Sequence, residues 1–290
     1  MKLAGRQALV TGGSRGFGRQ VARAFWENGA SLLLVARTAS DLAQVQNSFS
    51  PIVPGQIVHT LALDLTAPSA VEKVTAETEL RFGGLDILVN NAGDQGAIGP
   101  LWENDWEQWE YSMRLNLIVP VALCRAAIPI LARRSGTSII NLSGGGATGP
   151  RPNFSTYATA KAAVVRFSET LAQEVRKLNI KVNCIAPGAM YSRMQDAVLE
   201  AGPERAGEKD FKVAKELRER AGSGDDSIAR RAADLCVYLA SADSEGVSGK
   251  LISALWDPWP ELQSHLSDLE KTDVYTLRRI VCADRGLNWG

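Results

Sequence analysis

The chain is short of the residue types that several kinds of chemistry require. Its 290 residues hold two histidines, His59 and His265, and four cysteines, Cys124, Cys184, Cys236 and Cys282. The cysteines lack metal-ligand or redox spacing, so neither a zinc site nor a disulfide framework is expected. Cys184 falls in an apolar run and reads as a reduced, buried thiol. No cluster of His, Asp and Glu suggests a metal, and both histidines sit far from serine-nucleophile contexts, which leaves hydrolase chemistry with little support. Net charge is also missing: 32 basic residues balance 32 acidic ones. A neutral chain carries no electrostatic footprint for nucleic acid. No apolar run is expected to span a membrane, and the N-terminus passes directly into a strand without a leader pattern, so a cytoplasmic location is expected.

What is present is an alternation of strand and helix patterns. Strands are expected near residues 8–10, 31–36, 57–62, 87–90, 137–143, 181–185 and 251–254, with helices at 19–28, 67–82, 105–133 and 157–178 between them. Val164, Ser168, Leu171, Val175 and Leu178 recur at helical spacing and mark a core face. Seven strands alternating with helices predict an α/β fold with a doubly wound parallel sheet and helices on both faces. The length suits one such domain with extra helices. No repeat or long linker interrupts it, and residues 222–226 read as a loop.

Two patterns carry chemistry. The first is Thr11-Gly12-Gly13-Ser14-Arg15-Gly16-Phe17-Gly18, between a short apolar strand and a helix. Glycine is needed where backbone approaches a pyrophosphate, and a helix N-terminus supplies free N–H groups and partial positive charge. The spacing is G-x-x-x-G-x-G. The second is Tyr157 and Lys161, four residues apart and therefore on one helix face. An ammonium beside a phenol favours the phenolate, so Tyr157 is expected to titrate lower than usual and to act as a general acid–base.

Together these residues resemble the short-chain dehydrogenase/reductase family, over roughly residues 2–252. Thr11-Gly12-x-x-x-Gly16-x-Gly18 is similar to its cofactor loop, and Asn90-Asn91-Ala92-Gly93 to its central-strand motif. Asn116, Ser143, Tyr157 and Lys161 match its catalytic set in order, and Pro187-Gly188 follows a strand as the family places it. The resemblance implies a Rossmann-type domain over residues 1–254 that binds a nicotinamide dinucleotide. Tyr157 would exchange a proton with the substrate oxygen, Lys161 would hydrogen-bond the nicotinamide ribose, Ser143 would hold the substrate oxygen, and Asn116 would serve through water or backbone. Asp64, with Leu65 beside it, would meet the adenine. Ser14, Arg15, Phe17, Asn91, Ala92 and Gly93 would line the cofactor, with Pro187, Gly188, Met190 and Ser192 over the nicotinamide. Ser192 stands where a threonine is usual; a helix N-cap is its plainer reading.

Cofactor preference is read at the end of the second strand. An NAD site usually places a carboxylate there for the ribose hydroxyl. This chain has Ala36 followed by Arg37, and Arg15 lies in the glycine loop. Guanidinium groups clamp a 2′-phosphate, so NADP(H) is expected, with NAD(H) possible. The expected reaction interconverts a secondary alcohol and a ketone. Oxidation of a sugar or polyol hydroxyl is the enzymatic alternative, and a non-catalytic cofactor sensor or scaffold the alternative of another class. The resemblance implies a homodimer or homotetramer, and the apolar helices at 115–131 and 164–178 are compatible with a paired interface.

Around the substrate the sequence says less. A helical lid is expected at about 190–225, and Arg151 or Arg193 could meet an anion, although each reads first as surface charge. Trp102, Trp106 and Trp109 make a stripe at i, i+4 and i+7. The ending departs from the family: residues 255–290 form an extension in which Val274, Leu277 and Ile280 could share one helical face. The extension is expected to cover the substrate entrance, a neighbouring subunit or its own sheet edge.

Overall fold

In the computed structural model, which describes residues 1–289, seven parallel strands form one sheet in the order β3-β2-β1-β4-β5-β6-β7. They are β1 (Gln7–Thr11), β2 (Ser31–Ala36), β3 (Val58–Ala62), β4 (Ile87–Asn90), β5 (Thr137–Leu142), β6 (Ile180–Ala186) and β7 (Leu251–Ser253). Strand order reverses between β1 and β4, so the connections leave to opposite sides there and open a crevice at the carboxyl ends of the strands. The central strands read as unbroken apolar runs because both faces are covered. Leu32 and Leu34 of β2 point into one core with Val21, Phe25 and Trp26, while Leu33 and Val35 point into the other with Val74, Leu123 and Val182.

Helices α1 (Gly16–Glu27), α2 (Ala39–Asn47) and α9 (Ser227–Ala240) are placed with α3 (Ala70–Phe82), α4 (Trp106–Met113), α5 (Val119–Leu131) and α6 (Ser155–Glu174) around this sheet. The expected sheet and strands are therefore found, with boundaries shifted by a residue or two. Helix α1 begins earlier than expected, so Gly16 and Gly18 form its first turn. Helix α3 begins later, after a turn in which Asp64 accepts from the Thr66 N–H and hydroxyl; Asp64 does not cap the helix. The long helix expected at 105–133 contains one wide turn, Arg114–Ile118, with i→i+5 geometry, joining α4 to α5. This helix, Trp106–Leu131, is long and apolar enough to cross a membrane by length and composition, contrary to expectation. Half of its apolar window is buried inside the domain, where Leu123, Cys124, Ala127 and Leu131 fill the core beneath the sheet.

The lid is α7 (Arg193–Ala206), broken by the non-helical Gly202, and α8 (Glu208–Gly222). It has a small core of its own, in which Val198, Ala206 and Ala214 pack with Ile98, Phe154 and Tyr157. The tryptophan stripe does not form as expected. Trp102 lies in a separate short turn and is 84% exposed, while Trp106 and Trp109 stack with centroids 5.0 Å apart.

The extension follows the outer edge of the sheet. Its one α-helix is α10 (Leu266–Lys271); residues 273–281 run as turns and extended chain, so Val274, Leu277 and Ile280 share no helical face. The backbone bonds itself to the edge strand instead: the Leu251 N–H donates to the Tyr275 carbonyl at 2.8 Å, and Lys250 Nζ to the Val274 carbonyl at 3.0 Å. Leu262 and Leu269 are buried in the main core, and Trp259 packs on Tyr238. These contacts are with its own sheet edge and core, while Trp256 lines the cavity at the carboxyl ends of the strands.

Candidate active site

The crevice at the switch point opens into a cavity of about 1010 Å³ that runs from the glycine loop to the lid. At its cofactor end the chain is packed so closely that side chains are excluded. Gly12 and Gly16 have φ of +66° and +51°. A methyl group at Gly18 would lie 2.2 Å from the Gly12 carbonyl oxygen. Thr11 ties the loop to the end of β4: its hydroxyl donates to the Val89 carbonyl and accepts from the Asn91 and Ala92 N–H groups at 3.0 and 3.1 Å. The Asn91 amide returns a bond to the Thr11 carbonyl at 2.9 Å. This leaves the first turn of α1, with its unsatisfied N–H groups, facing the cavity. A cradle that a single Cβ would fill fits a dinucleotide phosphate. Residues 12–16 also spell G-x-S-x-G, but neither histidine lines the cavity, so Ser14 has no base.

Arg15, Arg37 and Arg193 converge on the adenosine end. Burial, and then the neighbouring Arg193 and Arg37 guanidinium groups, push the Arg15 pKa below its usual value, with Asp41 the carboxylate that opposes them. Three cations held together are a site prepared for an anion. Arg193 enters from the lid; its closeness to the glycine loop depends on the fold bringing Ser192 within 3.7 Å of the Gly16 Cβ position, which sequence spacing does not disclose. Ser192 caps α7, accepting from the Met194 N–H at 3.3 Å, as its plainer reading had it. Ala36, Arg37, Asp64, Leu65, Gly93, Pro187, Gly188 and Met190 all line the same cavity.

The other end gathers the remaining expected residues. Ser143 lies one residue beyond β5, buried, with an Oγ that has no partner among the described residues. Tyr157 stands in the first turn of α6 and is 7% exposed; its hydroxyl presses on the backbone of Gly144, where a methyl group would come within 2.2 Å. Asn116 sits in the wide turn between α4 and α5, completely buried. Its amide donates to the Asp94 carbonyl and carboxylate at 3.1 Å and to the Ser112 carbonyl and hydroxyl at 3.0 Å, while its Oδ1 is unpartnered. Asp94 also takes the Ser112 hydroxyl. Buried polar atoms without partners are costly, so Ser143 Oγ and Asn116 Oδ1 mark places where a bound molecule or water completes the structure.

Tyr157 and Lys161 share a helix face, as their spacing implies. Lys161 Nζ donates to the Leu142 carbonyl at 2.9 Å and lies 5.5 Å from the Tyr157 ring centroid. Burial raises the Tyr157 pKa, opposed by Arg151 and reinforced by Asp94, so the expected lowering is not found. Burial also lowers Lys161 to about 8. In this state the tyrosine holds its proton firmly.

The architecture and the cradle define a nicotinamide-dinucleotide oxidoreductase of the doubly wound class. The short chain dehydrogenase family pattern matches residues 6–202, and the chain belongs to that family. A short chain dehydrogenase of Pseudocercospora fijiensis is 31% identical over 268 residues, covering 90% of this chain and 84% of that protein. The D-beta-hydroxybutyrate dehydrogenase of Rhizobium meliloti is 29% identical, covering 86% and 96%. Among solved structures, L-sorbose reductase from Gluconobacter frateurii, complexed with NADPH and L-sorbose, superposes with a TM-score of 0.73 at 31% identity, covering 87% of this chain and 97% of that one. The protein is an NAD(P)-dependent short-chain dehydrogenase/reductase.

Proposed function

We propose that the protein prefers NADP(H) and interconverts a secondary alcohol and a ketone, with Tyr157 as the general acid–base. The observation that carries this reading is the pair of buried hydroxyls, Tyr157 and the unpartnered Ser143, flanking Gly144 on the wall of a cavity whose far end is the glycine cradle. A bound nicotinamide supplies or accepts the hydride. Thr11, Gly12, Ser14, Arg15, Gly16, Phe17 and Gly18 would hold the phosphates, Arg37 with Arg15 and Arg193 the 2′-phosphate, and Asp64 and Leu65 the adenine. Asn91, Ala92, Gly93, Pro187, Gly188, Met190 and Ser192 would enclose the nicotinamide half.

Ser143 Oγ donates to the substrate oxygen and Tyr157 delivers a proton to it, or withdraws one in the reverse direction. Burial raises the Tyr157 pKa, so the phenol carries the proton that the donating role requires. Lys161, held by the Leu142 carbonyl, would hydrogen-bond the nicotinamide ribose, and Asn116 fixes the wall beside it through Asp94 and Ser112. The protein acts in the cytoplasm as a homodimer or homotetramer in this reading.

A second reading, reduction of a keto-sugar or oxidation of a polyol, is favoured by the polar side chains Asp94, Gln95 and Arg151 on the substrate side, and by the likeness to L-sorbose reductase. Paired fluorescence titrations with NADPH and NADH test the cofactor assignment. Tighter NADPH binding is expected; tighter NADH binding overturns it and brings polyol oxidation forward. A Tyr157→Phe variant with full turnover overturns the mechanism.

A further inference from the structure

The substrate half contains a charged group to which the catalytic steps above give no task. Arg151, in the loop between β5 and α6, has a side chain only 17% exposed and is held from three directions. Its Nη1 donates to Oε1 of the buried Gln95 at 3.1 Å. Its Nε and Nη2 lie 2.9 and 2.8 Å from one carboxylate oxygen of Asp210, which belongs to lid helix α8. The guanidinium lies 3.7 Å from the Phe154 ring centroid and 5.6 Å from that of Tyr157.

A planar cation backed by an aromatic ring, with two N–H groups turned on one carboxylate, is the arrangement by which arginine recognises carboxylates. Here the recognised carboxylate is on helix α8, whereas Gln95 and Phe154 belong to the domain beneath it. The other cavity carboxylate nearby, Asp94, is already engaged by Ser112 and Asn116. We propose that Arg151 anchors a carboxylate of the substrate, making the substrate a small oxo acid or hydroxy acid, and that Asp210 keeps that place until the acid arrives. This deepens the alcohol–ketone reading and rests on it. Exchange of Asp210 for the substrate carboxylate preserves the charge balance at Arg151 and frees the lid, whereas a neutral substrate leaves the clasp closed. With the guanidinium 5.6 Å from the Tyr157 ring, the carboxylate would be a few carbons from the reacting oxygen.

The test compares NADPH oxidation by four- to six-carbon oxo acids and by their methyl esters, in wild type, Arg151→Gln and Asp210→Asn, with NADPH titration confirming that each variant is folded. Wild type is expected to prefer acid over ester. Arg151→Gln is expected to lower that preference by about 10–100-fold, as loss of a charge-assisted pair implies. Asp210→Asn is expected to lower KM for the acids, because the competitor has lost its charge, and not for the esters. An acid-to-ester ratio that is the same in wild type and Arg151→Gln overturns the anchor while leaving the alcohol–ketone reading in place. Absence of turnover with acids, esters and neutral keto-sugars alike overturns both.

Discussion

The two ends of the cavity are made by different means. The cofactor end is mostly closely packed backbone from contiguous motifs: glycines at 12 and 18, a threonine tying β1 to β4, and a helix N-terminus, joined by Arg193 from the lid. The substrate end is side chain against side chain, drawn from segments far apart in sequence, as where Gln95, Arg151 and Asp210 meet. A site built from backbone tolerates few substitutions and binds one ligand; a site built from side-chain pairs across a lid can be retuned one residue at a time. Substitutions at the first end should therefore disturb stability and cofactor binding together, and those at the second should alter kinetics alone.

The largest expected effect lies at the substrate end. Tyr157→Phe should lower kcat by about 10²–10⁴-fold with NADPH affinity unchanged, measured by steady-state turnover beside fluorescence titration. A matching loss of NADPH affinity would break the separation between the two ends. Gly18→Ala should do the opposite. Its methyl group, 2.2 Å from the Gly12 carbonyl oxygen, forces the loop apart and should cost about 1–3 kcal/mol in urea unfolding as well as cofactor affinity. Arg37→Ser should be subtler, weakening NADPH by about 10-fold and leaving NADH nearly unaltered, as loss of one charged contact predicts.

A further expected effect lies at the amino-terminal ends of the strands. Lys181 is buried at the start of β6, donating to the Ser241 carbonyl at 2.6 Å and to Ser244 Oγ at 2.7 Å, and burial lowers its pKa to about 8. Between about 8 and 10.5 the unfolded lysine holds a proton that the folded one has released, so unfolding takes up protons and stability rises with pH. Below that window both states are charged and the folded state carries the burial cost. Urea unfolding of wild type and Lys181→Met at about pH 7 and about pH 10 should show wild type gaining on the variant as pH rises. A gap that is constant with pH would contradict the shift.

The difference in construction also explains what could be read from sequence. The strands were legible because apolar runs covered on both faces leave little freedom of interpretation, and the glycine loop because its conformation demands glycine at fixed spacing. Residues 273–281 were not: Val274, Leu277 and Ile280 have helical spacing, yet the open N–H of Leu251 captures the Tyr275 carbonyl and draws the chain out along β7. The surroundings of Tyr157 were not legible, because spacing gives the shared face but not the Leu142 carbonyl that takes the ammonium, nor the burial that raises the phenol pKa. Arg151 read first as a surface cation that could meet an anion, and its actual setting was hidden because its partners lie 56 and 59 residues away.

The strap along β7 has a consequence for the order in which the molecule is made. Strands pair in a growing chain as they leave the ribosome, and β7 is exposed along one side as soon as it docks on β6. Its covering, around Tyr275, is synthesised more than twenty residues later. A chain ending before that segment would leave β7 an unpaired edge, and its yield of soluble protein should fall.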